Sequence, residues 1–153
     1  MTELIMALML YISGITGWPV PEPPKIEYIE SPHRMFILAN GCDIRPEEPI
    51  CKTFKSGNSK VLGLYNNITR TVLLNKDFWP YGTRDQSILL HELVHHMQFS
   101  TDRKYYAKLC TGLIEKEAFD IQEKWLVKWK SSLQEAIRLG PLYRYFITQC
   151  NIF

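Results

Sequence analysis

Two histidines and a glutamate, His91, Glu92 and His95, stand at a spacing that suits a metal ion and a proton acceptor. In an α-helix, residues four apart lie one turn apart and about 40° apart around the axis, so both imidazoles can reach one zinc ion at about 2.0 to 2.1 Å. Glu92 projects from the same general side, where a carboxylate can accept a proton from water held by the metal. The chain has only four histidines, so chance rarely produces this arrangement. The pattern predicts one catalytic Zn²⁺, with Glu92 as the general base.

The segment His91-Glu92-Leu93-Val94-His95 resembles the H-E-x-x-H metallopeptidases, the zincins. The metzincin branch is excluded, because it requires glycine at position 98 and histidine at position 101, where this chain has Gln98 and Thr101. The resemblance implies metal-assisted hydrolysis. In that reaction zinc lowers the pKa of its water towards about 7, and Glu92 takes the proton and later passes it to the leaving amine.

A third metal ligand must come from elsewhere, since a catalytic zinc site uses three protein ligands and leaves one position open. The helix expected downstream offers four acids: Glu115, Glu117, Asp120 and Glu123. Apolar residues at helical spacing define the buried stripe of that helix: Ile114, Ala118, Ile121 and Trp125. At about 100° per residue, Glu117 falls on the flank of this stripe, whereas Glu115 and Glu123 lie farther out. We therefore predict His91, His95 and Glu117 as the metal ligands.

Two histidines from one helix and a glutamate from a later one resemble the gluzincins, in which the glutamate usually begins the pattern Glu-x-x-x-Asp. This chain departs from that pattern, because Ile121 follows Glu117 by four positions and Phe119 follows Glu115 by four. The acid that typically orients a ligand histidine in the family is therefore missing or replaced by Asp120 or Gln122. The motif can be aligned on either glutamate, so Glu115 remains the alternative third ligand. Residues 17–21, 91–98 and 117–126 are also similar to a family of small bacterial zincin-like proteins of unknown function, a resemblance that implies no substrate.

Length, composition and charge indicate one globular domain. The chain has 153 residues, of which 46% are hydrophobic and 22% charged, enough to bury one core. A net charge of +2 argues against nucleic-acid binding, which requires a strongly basic surface. No stretch approaches the roughly eighteen apolar residues that span a bilayer. We expect a single zincin-like α+β domain over residues 1–153, mainly helical, with a small β-hairpin sheet ahead of the metal-binding helix.

The first half of the chain is expected to hold a helix, a strap and a hairpin. Residues 4–12 are apolar but lack a basic flank and a good cleavage site, which favours a packed helix over a cleaved signal peptide, so residues 1–24 become a helix and a proline-rich strap. Residues 26–29 suit a strand, and residues 33–39 suit helix or strand. Residues 61–74 place Asn66 and Asn67 between two β-rich runs, which predicts a hairpin. In zincins the strand ahead of the motif helix often borders the active site, so we expect a substrate to add a strand along residues 68–74.

Residues 84–139 are expected to form the helical half that carries the metal. Thr83 and Gln86 stand at capping-box spacing ahead of a helix over residues 84–99. Further helices are expected over residues 103–109 and 113–130, with Trp125 and Trp129 extending a packed face. Ser132 and Glu135 form a second capping box, before a short helix that ends near residue 139. An aromatic tail is expected to fold back into the core: Tyr143, Tyr145 and Phe146.

Four cysteines are present and none forms a C-x-x-C pair. They suit either two disulfides, most simply Cys42 with Cys51 and Cys110 with Cys150, or four buried thiols. The cysteine count slightly favours a periplasmic or secreted location, although no convincing signal peptide is present.

Other residues of interest lie around the motif. His96 points about 100° away from His95, so it cannot enter the same coordination sphere and is expected either beside the site or in solvent. Hydrolysis also needs a donor that stabilises the oxyanion. Five residues are of suitable type: His33, Arg103, Tyr105, Tyr106 and Tyr143.

The leading functional interpretation is a zinc metallopeptidase that acts on a peptide or protein substrate. Two alternatives stay open: a zinc amidase or esterase for a small substrate, and a non-catalytic zinc-containing binding or immunity module. The sequence does not indicate an oligomeric state.

Overall fold

A computed structural model describes residues 1–53 and 62–150, which form a mixed α+β domain. The elements in chain order are α1 (Thr2–Thr16), β1 (Lys25–Ile29), α2 (Pro32–Ala39), a 3₁₀ turn (Pro49–Lys52), β2 (Gly63–Asn66), β3 (Thr71–Asn75), α3 (Thr83–Thr101), α4 (Arg103–Tyr106), α5 (Thr111–Lys128), α6 (Leu133–Ile137) and α7 (Pro141–Ile147). The predicted α+β class is confirmed. The ambiguous segment 33–39 is helical, because Ser31 caps it by accepting a hydrogen bond from the Arg34 N–H.

The three strands form one sheet in the order β1-β3-β2. β1 runs parallel to β3, and β2 pairs antiparallel with β3 through the predicted hairpin. The turn is longer than two residues: the Asn66 side-chain oxygen accepts hydrogen bonds from the N–H groups of Ile68 and Thr69, and Arg70 takes a positive φ of 54°. Val61, which the hairpin prediction included, lies outside the described residues.

The position of β3 corrects the expectation that residues 68–74 border the active site. β3 is the central strand, because β1 occupies the side opposite β2. Its residues 71–74 are buried. β1 and β2 are therefore both edge strands within residues 1–53 and 62–150, and β2 is the edge strand that packs against α3.

The N-terminal helix packs into the core, as predicted. Ile5, Leu8, Met9 and Ile12 lie on its buried face and join apolar residues of β3, α3 and α5 in one cluster. α1 continues two residues beyond Gly14 and ends where Gly17 adopts the left-handed conformation (φ 76°), with its N–H donating to the Ser13 carbonyl at 2.8 Å.

Among the described elements, α3 contributes the most buried residues, and every residue from Ser87 to Gln98 is buried. The capping box predicted at Thr83 and Gln86 does not form, because the helix already begins at Thr83 and Gly82 is the cap. Instead Asp85 accepts a hydrogen bond from the Trp79 N–H at 2.7 Å, and the Gln86 side chain donates to the Pro80 carbonyl at 2.6 Å. Farther along, Ser132 caps α6 as predicted, by accepting from the Glu135 N–H.

The aromatic tail does not fold into the core, so that expectation is wrong. Tyr143, Tyr145 and Phe146 of α7 are 64%, 60% and 50% exposed. Leu133 and Leu139 already cover the core at this end, and α7 reaches the cluster only through Ile147. Trp125 is buried as predicted, but Trp129 follows the last residue of α5 and is exposed.

Both simplest disulfides are present, Cys42 with Cys51 and Cys110 with Cys150. Two disulfides indicate an oxidising environment. Within residues 1–53 and 62–150, no helix combines the length and the hydropathy of a membrane crossing.

Candidate metal centre

Three side chains converge where α3 packs along α5. His91 and His95 project from α3, and their Nε2 atoms lie 3.1 Å apart. Glu115 projects from the second turn of α5, with its Oε2 3.0 Å from His91 Nε2 and its Oε1 3.3 Å from His95 Nε2. Within the part of the chain that the structure describes, this is the one group of histidine, cysteine or acidic residues with ligand atoms close enough to share an ion.

These distances suit a tetrahedral metal ion. Bonds of about 2.0 to 2.1 Å to a central zinc put neighbouring ligand atoms roughly 3.3 Å apart, close to the 3.0 to 3.3 Å that separate the nitrogen and oxygen atoms here. Two imidazoles and one carboxylate are also the donor set of catalytic zinc sites with one open position. The residues therefore fit a metal ion.

The structure brings Glu115, the alternative left open above, to the two imidazoles, and not Glu117, which was predicted first. The half-buried Glu117 points away from the two imidazoles: its Oε2 accepts hydrogen bonds from the Gln98 amide and the Tyr106 hydroxyl, both at 2.8 Å. The reason is helical phase. Glu115, Ala118 and Gln122 form the face of α5 that meets α3, whereas Glu117 lies about 100° from Ala118 around the axis.

A buried glutamine accepts a hydrogen bond from the Nδ1 atom of each of the two histidines, His91 and His95. His91 Nδ1 lies 2.9 Å from Gln122 Oε1, and the Gln122 amide donates to Ser87 Oγ at 3.1 Å. His95 Nδ1 lies 2.9 Å from Gln98 Oε1. Because a glutamine oxygen only accepts hydrogen bonds, each Nδ1 carries a hydrogen, which leaves Nε2 as the atom available to a metal.

Electrostatics favour an ion pair between Glu115 and His95. Although burial opposes ionisation, hydrogen bonds from His91 and His95 hold the pKa of Glu115 well below its usual range. Burial also disfavours the charged form of His95, but the hydrogen bond and charge of Glu115 raise its pKa to about 9. One positive charge is thus strongly favoured at the point where the three side chains meet.

Glu92 lies beside this cluster at the wall of the cleft and is buried. Burial raises the pKa of its carboxyl, while the neighbouring His91 and His95 and a hydrogen bond from the Tyr65 backbone N–H oppose that shift. The edge strand packs tightly here. A Cβ at Gly63 would lie 3.0 Å from Glu92 Cγ and 3.1 Å from Glu92 Oε1, so the lack of a side chain at position 63 lets β2 approach the carboxylate.

The cluster opens into a cleft of about 430 Å³, a usual size for a ligand site. β2 and the residue before it form one wall, and α3 and α5 form the others. Apolar side chains dominate the lining: Leu62, Leu64, Ile88, Phe99, Ile114, Phe119 and Ile137. Among the described residues, the carboxylates and imidazoles in the lining are those of the cluster and Glu92.

None of the five candidate oxyanion donors lines this cleft within the described parts of the chain. The Arg103 side chain donates to the Asn67 carbonyl at 2.8 Å, and the Tyr106 hydroxyl is bonded to Glu117. Tyr105 and Tyr143 are exposed, and His33 lies on α2. The lining does include Asn67 and Thr111, whose side chains carry hydrogen-bond donors. The sequence analysis treated Asn67 only as a turn residue.

His96 stays out of the cluster, as predicted, but it does not face solvent. It is fully buried, with Nδ1 3.0 Å from the Tyr65 hydroxyl and Nε2 2.8 Å from the Glu22 carbonyl. These contacts tie α3 to the edge strand and to the proline-rich strap.

Residues 1–136 match the family described as a domain of unknown function, DUF6647. The chain belongs to this family. No curated protein and no solved structure matches the chain. The family description carries no activity, so any functional proposal depends on the geometry above.

Gln122, one of the two residues that the sequence offers in place of the orienting acid, supports His91, whereas Gln98 and Gly63, which contact His95 and Glu92, were not predicted. One signal was available for Gln122, which follows Glu115 by seven residues and so shares its face of the helix. Glu115 and Gln122 lie on either side of the small Ala118, and two polar residues in this position indicate a helix face that packs against a polar site. Nothing local marks Gln98 or Gly63, because their roles depend on contacts with distant segments.

Proposed function

We propose that this protein is a zinc-dependent metallopeptidase. The observation that carries the proposal is the convergence of His91, His95 and Glu115 to within 3.0 to 3.3 Å, beside a buried Glu92. This donor set with an adjacent carboxylate is the arrangement that metal-assisted hydrolysis requires.

His91, His95 and Glu115 would hold the zinc ion. When bound, zinc supplies an acidified water and polarises the carbonyl that is attacked. The Glu92 carboxylate would act as the general base, accepting a proton and later returning it to the leaving amine. Its burial keeps bulk water from competing for the proton.

The position of β2 at the edge of the sheet favours a peptide as the substrate. Gly63, Leu64 and Tyr65 of β2 line the cleft, and β2 has no further strand beside it among the described residues. An extended peptide can pair with such an edge through backbone hydrogen bonds, which hold it regardless of its side chains. The neighbouring apolar lining suits apolar side chains on either side of the scissile bond.

The two disulfides support a location outside the cytoplasm, in the periplasm or in the extracellular space. A peptidase in such a compartment meets peptide or protein substrates.

The Glu92→Gln variant tests this proposal. The amide keeps the shape of the side chain but cannot accept the proton, so we expect turnover of a peptide library to fall by at least about 10³-fold with zinc content unchanged. Peptide cleavage is measured by mass spectrometry, and zinc by elemental analysis. Wild-type cleavage of small amides or esters but of no peptide would favour an amidase or esterase. A zinc-loaded wild type with no turnover on any of these substrates would favour a non-catalytic module.

A further inference from the structure

Glu117 belongs to a chain of hydrogen bonds, buried at its His95 end and partly buried at Glu117, that ends on a proposed metal ligand. Its Oε2 accepts from Gln98 Nε2 and from the Tyr106 hydroxyl, both at 2.8 Å. Gln98 in turn presents Oε1 to His95 Nδ1 at 2.9 Å. The chain thus runs Tyr106, Glu117, Gln98, His95, from α4 through α5 to α3.

The two amide hydrogens of Gln98 are both engaged by groups that can only accept. One hydrogen bonds the Ile114 carbonyl at 3.1 Å and the other bonds the Glu117 carboxylate. Rotation of the amide by 180° would set its oxygen against these two acceptors and its NH₂ against a histidine nitrogen that already carries a hydrogen. Because Gln98 is fully buried, no water can repair those contacts. The orientation of the amide is therefore determined by Ile114 and Glu117.

We propose that Glu117 and Tyr106 are positioning residues that fix the His95 ring, by fixing the Gln98 amide, so that Nε2 faces the metal. This inference rests on the proposed zinc site. It assigns Glu117 a role two hydrogen bonds away from the metal ligand His95.

Tyr106 anchors the outer end of this chain. Its ring is buried and packs edge-on against Trp18, with ring centroids 6.1 Å apart. The same ring also packs against Phe99 in a tilted arrangement, with ring centroids 6.2 Å apart. Burial and the neighbouring Glu117 raise the pKa of its hydroxyl, so the phenol remains a hydrogen-bond donor throughout the neutral range. The carboxylate of Glu117 is thus held by a second donor besides Gln98.

The two ligand histidines differ in how this support is built. His91 is supported by Gln122 and Ser87, and the Ser87 hydroxyl donates to the Arg84 carbonyl within the same helix at 2.7 Å. His95 is supported through a carboxylate on α5 and a hydroxyl on α4. The hydrogen bonds that support His95 can therefore be weakened without changing those that support His91.

The test compares Glu117→Ala with Glu117→Gln and with Asp120→Ala. A glutamine side chain at position 117 can still accept from Gln98 and Tyr106 through its oxygen, whereas alanine cannot. Asp120 is a matched control, because it is an acid on the same helix whose partners are Lys116 and Arg144 instead of the cluster. Zinc affinity is measured by competition with a chelator, and the cobalt-substituted protein reports ligand geometry through its visible spectrum.

We expect Glu117→Ala to lose about tenfold in zinc affinity and to change the cobalt spectrum. Glu117→Gln and Asp120→Ala should match the wild type in both measurements. Wild-type affinity and spectrum in Glu117→Ala would overturn the inference, and so would equal losses in Glu117→Ala and Asp120→Ala.

A measurement on the metal-free protein separates this inference from the proposed function. The His95 Nδ1–H is observed by NMR, and its exchange with solvent is slow only while Gln98 accepts from it. We expect the signal to persist in the wild type, Glu117→Gln and Asp120→Ala and to be lost in Glu117→Ala. If the wild type binds no zinc, the proposed function fails while this result still decides the positioning role. Retention of the signal in Glu117→Ala would contradict it.

Discussion

At the scale of single residues, one carboxylate joins the two ligand histidines. Glu115 approaches both Nε2 atoms, one with each oxygen. It brings the negative charge that a divalent ion needs in a buried site with two neutral imidazoles. Glu117, two residues away, contacts neither histidine and acts on His95 only through Gln98.

The first prediction compares Glu115→Gln with Glu117→Gln. A ligand contributes more to metal affinity than a residue outside the coordination sphere, so Glu115→Gln should weaken zinc binding by more than about 100-fold and Glu117→Gln should leave it unchanged. Chelator competition at fixed pH measures both. The opposite ranking would restore Glu117 as the third ligand.

The second prediction concerns Gly63, where β2 meets Glu92. An added methyl group would lie 3.0 Å from both Glu92 Cγ and Ile88 Cγ2, so the carboxylate or the strand must shift by a few tenths of an ångström. Since small displacements of a catalytic group are costly, we expect Gly63→Ala to lower kcat/KM for a cleaved peptide by about tenfold or more, with zinc content unchanged. Gly14→Ala is the matched control, because a Cβ there meets no atom within 4 Å. Full activity in Gly63→Ala would show that this contact does not position Glu92.

The convergence of His91 and His95 could be predicted from residue spacing, but the choice of Glu115 over Glu117 as the carboxylate beside them could not. His91, Glu92 and His95 sit on one helix, whose geometry determines their relation. Glu115 comes from another helix, and its selection depends on the phase with which α5 meets α3. The apolar stripe suggested the wrong phase, because Ile114 is only half-buried while the polar Gln122 is buried.

At the scale of elements, the N-terminal end of α5 is held against residues 149–150, which follow α7. This contact is called the clamp. Cys110 caps α5 and is bonded to Cys150, and a Cβ at Gly112 would overlap the Gln149 carbonyl. Glu115 lies one turn beyond this clamp. The disulfide therefore supports the helix end from which Glu115, the proposed third ligand, projects.

The third prediction compares the two disulfides. Cys110 and Cys150 are 40 residues apart and Cys42 and Cys51 are 9 apart, so loop closure predicts losses of about 4 and about 3 kcal/mol in the free energy of unfolding when each pair is changed to serine. Only the Cys110→Ser/Cys150→Ser variant should also bind zinc more weakly, because only that pair borders Glu115. Urea unfolding and chelator competition measure the two effects. Equal zinc affinity in the two double variants would show that the clamp does not position α5.

Elements with strong local signals could be predicted from the sequence, and elements placed by packing could not. The Asn66 turn and the Ser132 cap have local hydrogen-bond partners. The order of the sheet is not local, since β3 becomes central only through its parallel pairing with β1. The burial of the aromatic residues of α7 was predicted wrongly for a related reason. Hydrophobicity alone does not show that other side chains already fill the core.

At the scale of the whole molecule, one core connects the sheet, α1 and the two helices of the cluster. A metal ion held between α3 and α5 would bind the folded chain and not the unfolded one, and would therefore add to the stability of the entire domain.

The fourth prediction follows from that linkage. With free zinc at about 100 times its dissociation constant, the gain is about 2.7 kcal/mol, which corresponds to roughly 5–10 °C in Tm for a domain of this size. Treatment with a chelator should lower Tm by this amount, and added zinc should restore it. The His91→Ala variant should show no dependence of Tm on zinc. A wild-type Tm that is insensitive to both treatments would exclude a metal held between the two helices.

The most direct test of the whole account is the zinc content of the purified wild-type chain, compared with that of His95→Ala. We expect one zinc ion per wild-type chain after dialysis against buffer with a trace of zinc, and close to none in the variant. A folded wild-type protein that retains no zinc, or a His95→Ala variant that retains as much as the wild type, would contradict it.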